Sequence, residues 1–138
     1  MIVADTGAMI ALIDADDKHH RALRAVFEEA PDAWVLPWAV LPEVDYLLST
    51  HVGTRAEEAF LADLSAGIYR VEWGREEDLE RVHSLSTRYR GLELGFVDCA
   101  VIAVMERLSA GAIATLDLRH FAAVAIRGRP QLLPRDLA

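Results

Sequence analysis

Phe96-Val97-Asp98-Cys99-Ala100-Val101-Ile102-Ala103-Val104-Met105 is followed, across Gly111, by Ala112-Ile113-Ala114-Thr115-Leu116-Asp117. The first run is apolar over enough residues to form a buried helix, predicted over 96–108, and Gly111 is its expected stop. The second run is short, apolar and bounded, the signature of a strand covered on both faces. Each contains one acid, Asp98 near the helix start and Asp117 at the strand end. Desolvating a carboxylate is costly, so an acid in such surroundings needs a partner or a use.

The same unit recurs outward from this stretch. Ile2-Val3-Ala4 reads as a buried strand ending at Asp5, followed by a helix carrying Met9, Ile10, Leu12 and Ile13. Asp16 or Asp17 is the expected cap of a second helix running through Glu29. Residues 33–36 read as a strand closed by Pro37. Residues 39–50 show the i, i+1, i+4, i+7, i+8 spacing of an amphipathic helix in Val40, Leu41, Val44, Leu47 and Leu48, with Pro42 restricted to its first turn. Thr54 with Glu57 three residues later suggests a capping box opening a helix to Ala66, stopped by Gly67. Tyr69 to Trp73 alternates as a strand. Residues 75–90 read as a helix with Leu79, Val82, Leu85 and Tyr89 inside. A helical turn through Phe121 and a strand near 131–133 complete the chain. Strands alternating with helices imply an α/β fold, a three-layer α/β/α sandwich around a mainly parallel sheet.

The chain has 138 residues, 53% of them hydrophobic, and no internal repeat or linker-like tract, so a single domain over 1–138 is expected. One cysteine rules out an intramolecular disulfide and a multi-cysteine zinc site. The N-terminus reaches Asp5 without a basic leader, and no apolar run nears the ~20 residues that span a bilayer. A soluble cytoplasmic protein with no membrane contact is the expectation. The net charge of −8 argues against a passive nucleic-acid coat protein. The tail after Asp117 is the exception, with Arg119, Arg127, Arg129 and Arg135 against Asp136 alone.

Asp5 and Asp117 end strands, and ligands of α/β sheets collect beyond the carboxyl ends of strands. Glu43 and Asp98 lie in the first turns of apolar helices, where the helix dipole favours an acid. Helices starting on that edge would bring all four acids together. Four carboxylates in one cleft repel each other unless a cation joins them, and oxygen ligands of this kind suit Mg²⁺ or Mn²⁺. Such an ion activates water for attack on a phosphodiester, which makes a side-chain nucleophile unnecessary. Each acid taken alone also has an ordinary reading as a turn, cap or dipole-compensating residue.

Val3-Ala4-Asp5-Thr6-Gly7-Ala8, Leu41-Pro42-Glu43-Val44-Asp45-Tyr46-Leu47-Leu48, Gly95-Phe96-Val97-Asp98-Cys99-Ala100 and Thr115-Leu116-Asp117-Leu118-Arg119-His120-Phe121 follow one another in order across nearly the whole chain. The set resembles PIN-domain ribonucleases, in particular the VapC toxins of bacterial and archaeal toxin–antitoxin pairs. The resemblance implies an Mg²⁺- or Mn²⁺-dependent endoribonuclease that leaves a 5′-phosphate and a 3′-hydroxyl. It makes Asp5 and Asp98 the principal metal ligands, Glu43 a holder of the metal or its water, and Asp117 the fourth acid, of more variable role. Thr6 and Thr115 would hydrogen-bond these acids. It further implies an RNA substrate, a homodimer and a cognate VapB-like antitoxin. Gly7 departs from the pattern, where a small hydroxyl or alanine is more usual. The alternative is a catalytically silent PIN-like binding module.

Other polar features have plainer readings. Asp14, Asp16, Asp17, His19 and His20 suit a solvated loop and helix cap. Asp45, two residues from Glu43, is expected on a different helix face and suits the surface. His120 beside Arg119 suits the surface, with contact to an RNA phosphate as the alternative. Arg88, Arg90, Arg119, Arg127 and Arg129 are candidates for phosphate contacts, and Trp34, Trp38, Trp73 and Tyr46 suit packing more than base stacking. Asp5-Thr6-Gly7 also matches the aspartic-protease triplet, but that chemistry requires two such aspartates in an all-β frame.

Overall fold

Ile2–Ala4 forms β1, the central strand of a five-stranded sheet in this computed structural model, which describes residues 1–137. Ala138 lies outside the described residues. Ile2, Val3 and Ala4 pair in parallel with Ala112, Ile113 and Ala114 of β4 (Ala112–Ala114), and on the other side Ile2 and Val3 pair with Trp34 and Val35 of β2 (Trp34–Pro37). β3 (Arg70–Glu72) extends the sheet beyond β2, and β5 (Gln131–Leu133) extends it beyond β4. The order is β3-β2-β1-β4-β5, all parallel. β2 and β4 are buried at every position, as a sheet covered on both faces requires.

Seven α-helices cover the sheet: α1 (Thr6–Ile13), α2 (His20–Glu29), α3 (Leu41–Leu47), α4 (Thr54–Ser65), α5 (Asp78–Arg88), α6 (Phe96–Leu108) and α7 (Leu118–Phe121). α1 packs on α2 and α3, and α5 packs on α6. This is the three-layer α/β/α sandwich expected from the alternation of elements. α6 is buried continuously from Cys99 to Met105, which explains why its sequence is apolar all round rather than striped. Two bidentate ion pairs tie α6 to its neighbours: Arg81 with Glu106 (2.6 and 3.0 Å), and Arg107 with Asp78 (2.8 and 3.1 Å). Arg107 also reaches Glu72 at the end of β3.

Several boundaries differ from the sequence reading. Asp16 and Asp17 do not cap α2. Asp17 accepts the His19 amide at 2.7 Å in a turn, and the helix begins at His20. Thr54 is the first helical residue of α4 and Gly53 takes the cap position, so no capping box forms with Glu57. Strand β3 is shorter than Tyr69–Trp73, and α5 starts at Asp78 rather than 75. Leu79, expected inside, is 49% exposed, in the first turn of α5 at the rim of a concavity it shares with Phe96, Ala100 and Val104. Ser109, in the left-handed conformation (φ 51°), ends α6 two residues before Gly111. The helix expected over 39–50 is a single helical path of three windings: a 3₁₀ turn at Trp38–Val40, α3, and a π-turn at Leu48–Val52.

Gly74, just after β3, has φ +82°, and a Cβ there would run into the indole Nε1 of Trp38. Both the backbone conformation and the missing side chain are therefore used. Gly74→Ala is expected to destabilise the protein by about 1–3 kcal/mol and to shift tryptophan fluorescence. An unchanged thermal midpoint would show that Trp38 gives way without cost.

Candidate functional site

All five strands run the same way, so the loops that follow them share one edge of the sheet. The chain builds outward from β1 through β2 to β3, then crosses back to place β4 on β1's other side. The crevice between the carboxyl ends of β1 and β4 is thus the topological switch point, where α/β sheets collect ligands. Asp5 follows β1 and Asp117 lies three residues beyond β4. Their link is direct: the Thr115 hydroxyl donates to Asp5 Oδ2 at 3.0 Å and accepts the Asp117 amide at 3.0 Å. Thr115 is itself held by its amide on Leu133 O of β5 (2.9 Å). Asp5, Thr6 and Thr115 are almost fully buried.

Asp98 enters from the first turn of α6, as the third helical residue after Gly95, and Glu43 occupies the equivalent position in α3. Glu43 is exposed. Oxygens of Asp98 and Asp117 and a ring nitrogen of His120 lie within 4.8 Å of one another. His120 Nδ1 is 3.1 Å from Asp98 Oδ2 and 2.8 Å from Asp117 Oδ2. Neither approach has hydrogen-bond geometry, so the buried Nδ1 has charge neighbours without a directed bond. Asp117 also caps α7, accepting the His120 amide at 3.2 Å. One carboxylate thus fills the ordinary cap role and also faces the cluster. Asp5 and Glu43 stand outside the tightest three-residue group, within its electrostatic reach.

That reach appears in the proton affinities. Burial pushes the Asp5 carboxyl up from 3.8 to about 6, with the charges of Asp98 and Asp117 adding to the shift, while the Thr6 amide and Thr115 hydroxyl pull it back. Asp98 is raised as well, first by burial, then by Asp117 and more weakly by Glu43, against the opposing effect of His120. The charges of Asp98 and Asp117 on Asp5, and of Asp117 and Glu43 on Asp98, form a single field with a deficit of positive charge. The Thr6 hydroxyl is buried beside Asp5 without a partner.

His120 is the participant that sequence reasoning left on the surface. Its spacing of three from Asp117 in the expected helical turn was the available signal, but the contact with Asp98 depends on where α6 packs. The cluster at 14–20 remains a solvated turn: Asp14 accepts the Asp16 amide, and His20 Nδ1 lies 2.9 Å from Ala11 O. Trp34 is core, with Phe27 edge-on at 5.5 Å, and Trp38 meets Phe96 at 5.9 Å. Trp73 and Tyr46 are exposed. The Asp45 side chain is half-buried, with one oxygen that has no hydrogen-bond partner, rather than fully at the surface. No helix among the described residues is long and apolar enough to cross a membrane.

Comparison with known proteins agrees with this architecture. Ribonuclease VapC26 of Mycobacterium tuberculosis is 32% identical over 123 residues, which cover 89% of this chain and 91% of that protein. The crystal structure of M. tuberculosis VapC20, described as a sarcin-ricin loop cleaving toxin, superposes with a TM-score of 0.81 at 26% identity, covering 93% of this chain and 98% of that one. FitAcB from Neisseria gonorrhoeae shares the fold at a TM-score of 0.64 and 15% identity, over 96% of each chain. The family model described as PIN domain matches residues 2–127, and with these relatives it establishes that the chain belongs to the PIN domain family.

Proposed function

We propose that this protein, acting as one domain over 1–138, is an Mg²⁺- or Mn²⁺-dependent endoribonuclease of the toxin type, restrained by a cognate VapB-like antitoxin and working as a homodimer. The observation that carries the reading is the gathering of acids from four distant segments at the sheet's switch point, where burial and neighbouring carboxylates raise the proton affinity of Asp5 and Asp98. The naming of VapC26 as a ribonuclease and of VapC20 as an RNA-cleaving toxin supports RNA as the substrate class.

The donor set suits a hard cation. Carboxylate oxygens dominate it, the Asp98, Asp117 and His120 atoms are close enough to share one ion, and the Thr6 hydroxyl beside Asp5 is buried without a partner. Asp5 and Asp98 would be the principal ligands, with Glu43 positioning the attacking water at the open side and Asp117 completing the acidic wall. When bound there, a divalent cation would supply Lewis acidity, lowering the pKa of water toward neutral and offsetting charge on the phosphate. Thr115 fixes Asp5 and the Asp117 backbone relative to each other through its one hydroxyl. The products are a 5′-phosphate and a 3′-hydroxyl.

The test is cleavage of RNA by purified, antitoxin-free protein. Cutting is expected with Mg²⁺ or Mn²⁺, with loss in EDTA and recovery on adding metal back. Full activity in EDTA would contradict the metal mechanism, and growth arrest absent on expression of the wild type would favour a silent binding module. Thr115→Val keeps the shape of the side chain and removes the shared hydroxyl. It is expected to weaken Mn²⁺ binding about 10–100-fold by calorimetric titration. Unchanged affinity would mean that packing alone orients Asp5.

A further inference from the structure

Two concavities meet along the outer strand of the sheet. The first, of about 320 Å³, lies between the segment after α7 and β5, and Arg127, Arg129 and Arg135 line it. The second, of about 290 Å³, opens at the carboxyl edge and is lined by His19, Thr115, Leu116, Leu118, Pro134 and Arg135. Arg135 belongs to both. Thr115 belongs to the second and bonds Asp5 and the Asp117 amide. Taken in order, the shared walls Arg135 and Thr115 trace a path from three guanidinium groups, past an apolar hollow, toward the acid cluster.

The charge on this path is unusual for the molecule. The chain carries −8 overall, yet Arg127 and Arg129 are exposed and form no ion pair among the described residues. The nearest acid, Glu106, accepts the Arg127 amide, and its carboxylate is already engaged by Arg81. Arg135 is engaged by Asp136 in a bidentate pair (2.7 and 3.0 Å), which leaves Arg127 and Arg129 as the cations of this path without an ion pair among the described residues. The arginines at 127 and 129 flank Gly128 at the amino end of β5, and Arg135 follows its carboxyl end, so the cations are spread over about 10 Å of strand. Guanidinium groups spaced along a groove suit the repeated phosphates of a polynucleotide backbone. The apolar hollow between them and the acids has room for a sugar or an unpaired base.

We propose that this path is the track by which single-stranded RNA reaches the acid cluster, with Arg127 and Arg129 holding its phosphates and positioning the strand. The proposal rests on the ribonuclease reading and adds to it where the substrate lies.

The test compares wild type with Arg127→Gln/Arg129→Gln, using a fluorescent single-stranded RNA oligonucleotide. Binding is followed by anisotropy across a salt series, in an Asp98→Asn background that prevents cutting. Cleavage is followed separately with Asp98 intact. The double substitution is expected to raise Kd and KM about tenfold, to leave kcat at saturating RNA unchanged, and to reduce the log Kd–log salt slope by about 1.4, or 0.7 for each lost contact. Arg127→Lys/Arg129→Lys should recover most of the affinity. Arg24→Gln, on α2 and paired with Glu28, controls for the loss of one positive charge elsewhere on the surface and should change neither value. A wild type that cuts RNA while the double variant keeps the wild-type Kd and slope overturns the track. The same RNA result with altered self-association by size-exclusion chromatography overturns it in favour of an interface between copies. A wild type that neither cuts nor binds RNA overturns the ribonuclease reading, and the track with it.

Discussion

Asp98→Asn is expected to lower RNA cleavage at least about a thousandfold, corresponding to about 4 kcal/mol of transition-state stabilisation. Asparagine keeps the size of the side chain and removes the charge that a divalent cation needs. Asp98 meets Asp117 and His120 at the centre of the cluster, and no other residue approaches from α6 to replace it. The fold should be unaffected, because the carboxylate makes no directed hydrogen bond that holds α6 in place. The measurement is single-turnover cleavage of labelled RNA in Mn²⁺, with circular dichroism melting as the control. Residual activity above a tenth of wild type, in a folded variant, would remove Asp98 from the mechanism.

Asp5→Asn should act in opposite directions on activity and stability. It should abolish cutting, and it should also stabilise the metal-free protein at pH 7.5. The Asp5 carboxyl is raised from 3.8 to about 6 in the folded state, chiefly by burial. A raised acid binds more protons folded than unfolded, so its penalty is absent below about pH 4, grows between pH 4 and 6, and is complete above 6. Asparagine removes that penalty, which is on the order of 2–3 kcal/mol at neutral pH. The variant's thermal midpoint should therefore exceed that of the wild type in EDTA at pH 7.5, and the gap should close toward pH 4. Adding Mn²⁺ should raise the wild type and leave the variant little changed. A variant less stable than wild type at pH 7.5 without metal would mean that the hydrogen bond from Thr115 outweighs the desolvation of the charge.

The legible parts of the sequence were those governed by local composition. β1, α6 and β5 lie over the residues read for them, Asp5 follows a strand and Glu43 and Asp98 occupy first helical turns as read, while β4 stops at Ala114 and leaves Asp117 three residues beyond it. Less legible were boundaries decided by backbone geometry. Gly53, rather than Thr54, takes the cap of α4, and Ser109 enters the left-handed conformation before Gly111 can act. Strand order was beyond local reading, because β1 pairs with β4 across more than a hundred residues. That pairing is what makes Asp5 and Asp117 neighbours. His120 shows the same limit: the helical turn through Phe121 was legible, but its place between two carboxylates depends on α6 bringing Asp98 to that turn.

A crystal soaked in Mn²⁺ and measured for anomalous scattering tests the metal centre most directly. The expected result is a peak at the carboxyl ends of β1 and β4, with oxygens of Asp5 and Asp98 about 2.0–2.3 Å away and Asp117 or Glu43 reaching it directly or through water. A peak elsewhere, or none at Mn²⁺ concentrations that support RNA cleavage, would contradict a shared cation as the reason these acids converge.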